Sequence, residues 1–407
     1  MSFHLTNRQE ILLQDSLGLE GLSPKSFAFG LEKCSKISLK RPLKQERKRT
    51  RNPRFAIGDP AKSVLIKNAT LIDGDGSVME AFDIILNDGL IQAVGPSASL
   101  EFSTESLNVI NANGRFVTPG IVDMHSHVGL DSWPETEGNS DTNEMSGLPL
   151  HPELRALDGF DPSDIAIDII NSGGITTSLV LPGSGNLMGG EAYAIKHRRM
   201  KSNRVEDMLL NAGMNTSFSN GEDGPEWRWM KMACGENALM SSRRKGIMGE
   251  SRLGEGFLFR TRLNDAKKVM IQQDEWCYKA KIANASDSSA GHRFIHDLFP
   301  DPIEQETLIA LLRGEILLNV HCYQPNDIEM MVRLSHEFNF KIRAFHHALE
   351  AWKVAELLAH EGIGVALFAD HFGYKKEAYG ISVKGPSILA KNGVKVAFKS
   401  DHPVLNG

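Results

Sequence analysis

The sequence predicts an α/β fold in which parallel strands alternate with helices, after a small all-β unit. Residues 63–117 contain short β-rich runs separated by Asp-Gly turns, and after Pro119 apolar runs alternate with helical segments. Strand–helix units of about 25–30 residues require crossover connections and therefore parallel strands. Reactive side chains stand at the ends of several of these runs, where both a (β/α)8 barrel and a doubly wound sheet place an active site.

The N-terminal segment, residues 1–55, is predicted to be a basic, poorly structured extension. Its stretch "KISLKRPLKQERKRTRNPRF" (36–55) is dense in Lys and Arg and is interrupted by Pro. A nuclear-localisation or nucleic-acid-binding patch at 40–54 is one interpretation, and a solvated linker is the other. We favour the linker, because no later segment indicates nucleic-acid binding.

The next unit, residues 56–117, has the pattern of β-hairpins. "SVLIKNATLIDGDGSV" and "AFDIILNDGLIQAVG" are β-rich runs broken by Asp-Gly turns, and "SLNVINANGRFVTPG" adds another pair of strands. A small all-β unit is therefore expected before the alternating region.

The remaining residues, 118–407, carry the alternating pattern. "GITTSLVLPGSGN" predicts a strand that runs into a Gly-rich loop, and "GEILLNVHCYQPNDIEMMVRLSHEFNF" predicts a strand followed by an amphipathic helix. "KIRAFHHALEAWKVAELLAHEG" repeats this arrangement, with Gly362 as the helix stop. "IGVALFADHFG" and "VKVAFKSDHPVLNG" add two further strands.

Composition excludes several classes of protein. The chain has 407 residues, 41% of them hydrophobic, and a formal net charge of −6, which gives no overall attraction to nucleic acid. No apolar run reaches the roughly 18 residues that cross a bilayer, and residues 1–20 lack a signal-peptide core. Its four cysteines form no CxxC pair and predict no disulfide framework. We expect a soluble, reduced, cytoplasmic protein, with nuclear localisation through residues 40–54 as the alternative.

Two histidines at the end of "FVTPGIVDMHSH", His125 and His127, form the first candidate site. Residues i and i+2 of a strand share a face, so both imidazoles can bind one cation. Zinc accepts imidazole nitrogen at about 2.0–2.1 Å. Later runs end in the same kind of side chain: His321 after "ILLNV", His346 and His347 after "KIRAF", and Asp401 after "VKVAFKS".

The motifs "PGIVDMHSHVG", "NVHCY", "FHHALEA" and "FKSDHP", in this order, resemble the metal-dependent amidohydrolase superfamily. The stretch "WMKMACGENALM…SRLGEGFLFR" is similar to its imidazolonepropionase-related branch, although "GENALM" lacks that branch's Pro. The resemblance covers roughly residues 55–407. It implies a TIM-like (β/α)8 barrel over 118–407 and a small N-terminal β-sandwich portion over 56–117.

The resemblance also implies a divalent-metal site, most simply one or two zinc ions. The implied ligands are His125, His127, Glu236, His321, His347 and Asp401. For the fourth barrel strand Glu236 is preferred, and a carbamylated Lys231 is the alternative. Weaker substrate-binding candidates are Arg252, His371 and His346.

Such a site predicts hydrolysis of an amide or cyclic-amide C–N bond. A bound divalent metal lowers the pKa of water from 15.7 toward about 7, and Asp401 is implied as the catalytic group that moves the proton to the leaving nitrogen. The alternatives are an N-acetyl amino-sugar deacetylase and a catalytically inactive, truncated amidohydrolase-like protein. A small-molecule substrate is expected and a homo-oligomer is left open, with no membrane or nucleic-acid partner.

The superfamily pattern continues beyond the eighth-strand Asp with a last helix and returning sandwich strands. This sequence ends six residues after Asp401. We therefore expect a C-terminally truncated member in which the C-terminal sandwich strands are absent.

Overall fold

The computed structural model describes most of the chain. The described residues are 21–38, 63–87, 89–97, 107–136, 138–141, 149–199, 204–210, 228–246, 250–286, 291–368 and 373–405. The basic segment 40–54 and His371 lie outside the described residues, so the predictions made for them stay predictions.

A helix occupies part of the N-terminal segment. Helix α1 (Pro24–Ser38) packs its apolar side, including Phe27, against Trp276 of a long later helix. The approach is close, because a Cβ at Gly30 would lie 2.1 Å from the Trp276 ring. The expectation of a poorly structured segment is therefore wrong for residues 24–38, whose apolar side chains find a partner that is remote in sequence.

One five-stranded sheet follows, in the order β3-β2-β1-β4 with β5 beside β1. Its strands are β1 (Val64–Ile72), β2 (Val78–Asn87), β3 (Leu90–Pro96), β4 (Asn108–Asn111) and β5 (Phe116–Val117). Strands β1, β2 and β3 pair antiparallel as consecutive hairpins, whereas β4 and β5 run parallel to β1. The predicted strands are present, but the second layer of a sandwich is not confirmed in this part of the structure.

An eight-stranded sheet forms the larger unit, ordered by sequence from β6 to β13. Its strands are β6 (Ile121–Ser126), β7 (Ile175–Val180), β8 (Met188–Lys196), β9 (Arg228–Ala233), β10 (Ile316–Cys322), β11 (Ile342–His347), β12 (Gly364–Leu367) and β13 (Val396–Phe398). The sheet nearly closes on itself, because Ser126 forms a parallel bridge with His402, just beyond β13. It fits a TIM-like barrel.

Strand β8 departs from the predicted all-parallel arrangement. It runs antiparallel to both of its neighbours, β7 and β9. Only residues 181–187 connect β7 to β8, and a parallel crossover needs a dozen residues or more. The Gly-rich loop at the end of "GITTSLVLPGSGN" is thus a reversal in the barrel wall, whereas a βα loop was expected.

Helices cover the barrel wall. They are α2 (Ala156–Gly159), α3 (Ala166–Ser172), α4 (Val205–Met208), α5 (Glu236–Lys245), α6 (Arg252–Ser286), α7 (Ile303–Leu312), α8 (Pro325–Phe338), α9 (Ala355–Glu361) and α10 (Gly385–Lys391). Helix α9 ends at Gly362, in a left-handed conformation as predicted. Within the described ranges, no helix combines the length and the hydropathy needed to cross a membrane.

The four cysteines form two disulfides, which corrects the prediction of none. Cys34 of α1 is bonded to Cys277 of α6, and Cys234 after β9 is bonded to Cys322 at the end of β10. The partners are 243 and 88 residues apart in sequence. Only the folded arrangement brings them together, so their spacing carries no local signal.

Candidate metal centre

Four side chains converge at the carboxyl ends of the barrel strands. His125 is the last residue but one of β6 and His127 directly follows that strand, whereas His347 ends β11 and Asp401 follows β13. Asp401 Oδ1 lies 3.0 Å from His125 Nε2 and 3.3 Å from His127 Nε2, and Asp401 Oδ2 lies 3.6 Å from His347 Nδ1. The candidate ligand atoms of His125, His347 and Asp401 all lie within 4.8 Å of one another.

His321 completes this group from β10. Its ring is fully buried, and its centroid lies 4.3 Å from that of His347. Neither ring nitrogen has a hydrogen-bond partner among the residues that the structure describes. A buried, unpartnered imidazole beside three others and a carboxylate fits the nitrogen-and-oxygen ligand set of zinc.

The backbone of this centre is strained. The φ values are 64° for His347, 42° for Ala348 and 60° for Asp401. These values lie in the left-handed region, which residues other than glycine rarely adopt. Such conformations cost of order 1–3 kcal/mol each and cluster at functional sites. They turn His347 and Asp401 out of the regular strand direction at the same edge of the barrel.

Hydrogen bonds set the tautomer of His127. The Leu181 carbonyl accepts a bond from His127 Nδ1 at 2.8 Å. Because a carbonyl cannot donate, Nδ1 of the neutral ring carries the proton and Nε2 carries the lone pair. That lone pair faces Asp401.

A longer chain sets the tautomer of His125. Asn319 Oδ1 accepts from His346 Nε2 at 2.9 Å, and His346 Nδ1 lies 2.8 Å from His125 Nδ1. The first bond protonates His346 at Nε2, so its Nδ1 accepts the proton of His125 Nδ1. His125 Nε2 is then the free lone pair, and it points at Asp401.

Asp123 fixes the backbone around the same two strands. Its Oδ1 accepts from the His125 N–H at 3.1 Å, and its carboxylate also accepts from the Ser400 N–H and hydroxyl at 3.2 and 2.6 Å. Asp123 thereby ties the first barrel strand to the segment that carries Asp401.

Electrostatics favour the neutral form of three imidazoles in this centre and the charged form of the carboxylate. Burial, reinforced by nearby lysines, holds the pKa of His125, His321 and His347 well below its usual range. Burial opposes ionisation of Asp401, but the interactions of its carboxylate with His347, His125 and Lys399 outweigh this effect and hold its pKa well below the usual range. Burial also opposes the charged form of His127, yet Asp141 and Asp401 together raise its pKa. Neutral imidazole and ionised carboxylate are the forms that bind a metal.

Lys399 is a buried residue of this centre that the sequence interpretation missed. Its Nζ donates to His347 Nδ1 at 2.8 Å and lies 3.4 Å from Asp401 Oδ2. Burial lowers its pKa to about 7, against the opposing charge of Asp401. The signal was present in "FKSDHP", because alternation places residues 399 and 401 on one face of an extended segment.

The two candidates for the fourth-strand group occupy different surroundings. Lys231, on β9, is fully buried, donates to the Pro182 carbonyl at 3.1 Å, and has a pKa lowered to about 8 by burial. Its charge acts on four histidines: His125, His127, His321 and His346. Glu236, at the start of α5, accepts from the Glu377 N–H, and its Oε1 has no partner within the described residues.

The weaker candidates are placed as follows. Arg252 donates to both carboxylate oxygens of Asp327, at 2.6 and 2.9 Å, and also to Glu377. His346 is fully buried, with both ring nitrogens within hydrogen-bond distance of protein partners. Arg252 and His346 are therefore held by protein groups, and His371 lies outside the described residues.

Comparison with known proteins gives a consistent set of relatives. No protein-family model matches the chain. The chain is 36% identical over 403 residues to the amidohydrolase tasK of Hapsidospora irregularis, a match that covers 95% of this chain and 40% of that relative. It is 42% identical over 64 residues to a dihydroorotase of Halalkalibacterium halodurans, covering 16% of this chain and 14% of that enzyme.

A solved amidohydrolase of Thermotoga maritima matches the fold. Its TM-score is 0.69 at 27% identity, over 84% of this chain and 79% of that structure. The relatives and this structure support the amidohydrolase superfamily. They do not confirm the imidazolonepropionase-related branch or a truncation, and the chain spans only two fifths of the length of its relative tasK.

Proposed function

We infer that the chain is a member of the amidohydrolase superfamily, and we propose that it hydrolyses an amide-type C–N bond with metal-activated water. The observation that carries this proposal is the convergence of His125, His127 and His347 on Asp401, with separations of 3.0 to 3.6 Å. The names of the relatives, amidohydrolase and dihydroorotase, agree with it.

The proposed ligands of the metal are His125, His127, His321, His347 and Asp401. When bound there, a divalent cation such as zinc lowers the pKa of water and polarises a carbonyl oxygen. The buried imidazoles hold the cation without neutralising its charge. One or two ions fit the proposal.

Asp401 is the proposed proton shuttle. Its ionised carboxylate accepts a proton from the attacking water and then donates it to the leaving nitrogen, acting first as base and then as acid. Lys399 lies 3.4 Å from the same carboxylate, so its ammonium favours the ionised form of Asp401. His346 and Asn319 act as positioning residues, because they fix the ring of His125.

For the fourth-strand group we propose Lys231 over Glu236, which reverses the preference drawn from the sequence. The charge of Lys231 acts on four histidines of the centre, whereas that of Glu236 acts on Tyr323, Tyr374 and Lys375. A carbamate on Lys231 would supply oxygen ligands for the metal, the role that the superfamily resemblance implies for the fourth strand.

A cyclic amide is the favoured substrate class, because dihydroorotases and an L-hydantoinase are among the relatives. Among the described residues, no contact favours the N-acetyl amino-sugar alternative. The inactive alternative has one supporting observation, since the Lys399 ammonium already donates to His347 in the centre.

The test combines metal analysis with a substrate screen. The chain is purified, its bound metal is measured by mass spectrometry, and it is assayed with hydantoins, dihydropyrimidines, dihydroorotate and N-acyl amino acids. We expect stoichiometric metal and ring opening of at least one cyclic amide, both lost in His125→Ala and Asp401→Asn. Metal-loaded protein that hydrolyses none of these compounds would support the inactive alternative.

A further inference from the structure

The barrel contains a cavity of about 390 Å³ beneath the metal centre. The end of the cavity nearer the metal centre is formed by Asn319 and His346. The opposite end is formed by residues at the starts of the strands. An engineered apolar cavity of about 150 Å³ already binds benzene. The cavity, which we name the lumen, is therefore large enough for an organic molecule.

Small side chains create the lumen. The interior of a (β/α)8 barrel is usually filled by bulky branched residues. Here Ala344 pairs with Gly364, and Ala366 pairs with Ala397 on the next strand, so neighbouring strands contribute small residues side by side. Ala194 adds another small residue to the lining.

One polar group in the lumen lacks a partner. Asn319 is 2% exposed, and its Oδ1 accepts from His346, but its Nδ2 has no partner among the described residues. A buried donor left without an acceptor costs about 1–3 kcal/mol. An acceptor oxygen on a molecule in the lumen would satisfy it.

Two cations line the opposite end. Arg343 and Lys395 are both exposed, and neither forms an ion pair with any described residue. The rest of the lining is mainly apolar, for example Leu179, Leu317 and Val396. An apolar chamber with cations at one end and an amide donor at the other complements a molecule with a carboxylate, an apolar body and a distal oxygen.

We propose that the lumen binds a small apolar monocarboxylate that also carries a distal carbonyl oxygen. The carboxylate lies against Arg343 and Lys395, the aliphatic body fills the space above Ala397, and the oxygen accepts from Asn319 Nδ2. The lumen shares Asn319 and His346 with the support of His125, but binding in it does not depend on the proposed hydrolytic activity.

Three probes of equal chain length separate the contributions of these contacts. They are 7-oxooctanoate, which has both polar ends, octanoate, which lacks the carbonyl, and 2-octanone, which lacks the carboxylate. Titration calorimetry on the intact chain should show the tightest binding for 7-oxooctanoate. Octanoate and 2-octanone, which each lack one polar end, should each bind about tenfold more weakly, which corresponds to about 1.4 kcal/mol.

Variants then locate the binding. Lys395→Met should weaken the binding of octanoate by about threefold and leave that of 2-octanone unchanged. Lys391→Met, which changes an exposed lysine outside the lumen, should leave both affinities unchanged. Ala397→Leu fills the lumen and should abolish binding of all three probes, with its folding checked by circular dichroism.

Several results would overturn the proposal: no binding to the wild-type chain, undiminished binding in folded Ala397→Leu, or binding of 7-oxooctanoate to the wild type that is no tighter than that of octanoate and 2-octanone. Because Lys395→Met lies at the exposed end, that variant remains informative if Ala397→Leu does not fold. Calorimetry reads binding directly, so a failed substrate screen would not affect the outcome.

Discussion

At the residue scale, the candidate centre depends on which nitrogen of each histidine carries its proton. The Asn319–His346–His125 chain leaves His125 Nε2 as a lone pair, and the Leu181 carbonyl does the same for His127 Nε2. Both lone pairs then face Asp401 without a further change in protonation. The sequence predicted the pair of histidines but not the asparagine that orients one of them.

This orientation can be tested at Asn319. Asn319→Leu removes the acceptor of His346 Nε2, so His125 Nδ1 loses its fixed partner. We expect metal affinity to fall by about 10–100-fold, the usual effect of removing such a supporting contact. Competition with a fluorescent zinc chelator measures the change, and Asn392→Leu on the surface serves as control; equal affinities for wild type and Asn319→Leu would contradict the assigned tautomers.

Lys231 and Glu236 can be separated by substitution. Removal of a residue that only supports a metal ligand typically lowers metal affinity or activity by up to about 100-fold. If Lys231 is itself a ligand, Lys231→Met should lower metal affinity and kcat/KM by more than that. Glu236→Gln should lower metal affinity and kcat/KM by less than about tenfold, because the charge of Glu236 acts on Tyr323, Tyr374 and Lys375 and not on the histidines of the centre. Lys341→Met controls for the loss of an exposed lysine, and the opposite ranking of Lys231→Met and Glu236→Gln would restore the choice of Glu236.

Glu255 should make stability depend on pH. Burial, with the charge of Asp327, raises its pKa from 4.5 to about 8. Between these values the folded chain holds a proton that the unfolded chain releases. The free energy of unfolding should therefore fall as pH rises through this window, by up to about 1.4 kcal/mol per pH unit.

Glu255→Gln should remove this contribution. The difference in free energy of unfolding between Glu255→Gln and wild type should shift in favour of the variant from pH 5 to pH 8. Urea unfolding at several pH values measures it. Glu356→Gln, at an exposed position, should show a flat difference, and a flat difference for Glu255→Gln as well would rule out the raised pKa.

At the element scale, the sequence predicted those helices, strands and turns that depend on local sequence patterns. The hairpins of 63–117, the helix after β10 and the stop at Gly362 were readable because turns, periodicity and caps act over a few residues. The direction of β8 was missed, because the Gly-rich loop resembles an ordinary βα loop in sequence. Its shortness, compared with the dozen or more residues of a parallel crossover, is what indicates an antiparallel strand. Helix α1 and both disulfides were missed because their partners lie far away in sequence.

The attachment of α1 can be tested through its disulfide. Cys34→Ser opens a link between residues 243 apart in sequence. Disulfides typically contribute about 2–4 kcal/mol to the free energy of unfolding, so we expect a lower Tm for Cys34→Ser than for wild type in the absence of reductant. Reductant should erase the difference, and a non-reduced digest should contain the Cys34–Cys277 peptide pair. Free thiols at both positions would contradict this pairing.

At the scale of the whole molecule, the candidate metal site lies where the barrel closes. The first and last strands meet through the Ser126–His402 bridge and the contacts of Asp123 with Ser400, and Asp401 stands between them. The candidate ligands come from β6, β10, β11 and the segment after β13. A cation bound by them would therefore link opposite ends of the chain's alternating region, and its binding should stabilise the barrel as a unit.

Removal of metal should accordingly lower the stability of the whole barrel. A ligand at 1,000 times its Kd stabilises the folded state by about 4.1 kcal/mol, so chelation of metal-loaded wild type should lower Tm by several degrees, and added zinc should restore it. Asp401→Asn should start from the lower Tm and respond little to chelator. Asp265→Asn, an exposed carboxylate on α6, should behave as wild type. Asp401 is one of the proposed metal ligands. A chelator-induced shift in Tm of equal size in wild type and Asp401→Asn would therefore mean that the stabilising metal binds elsewhere.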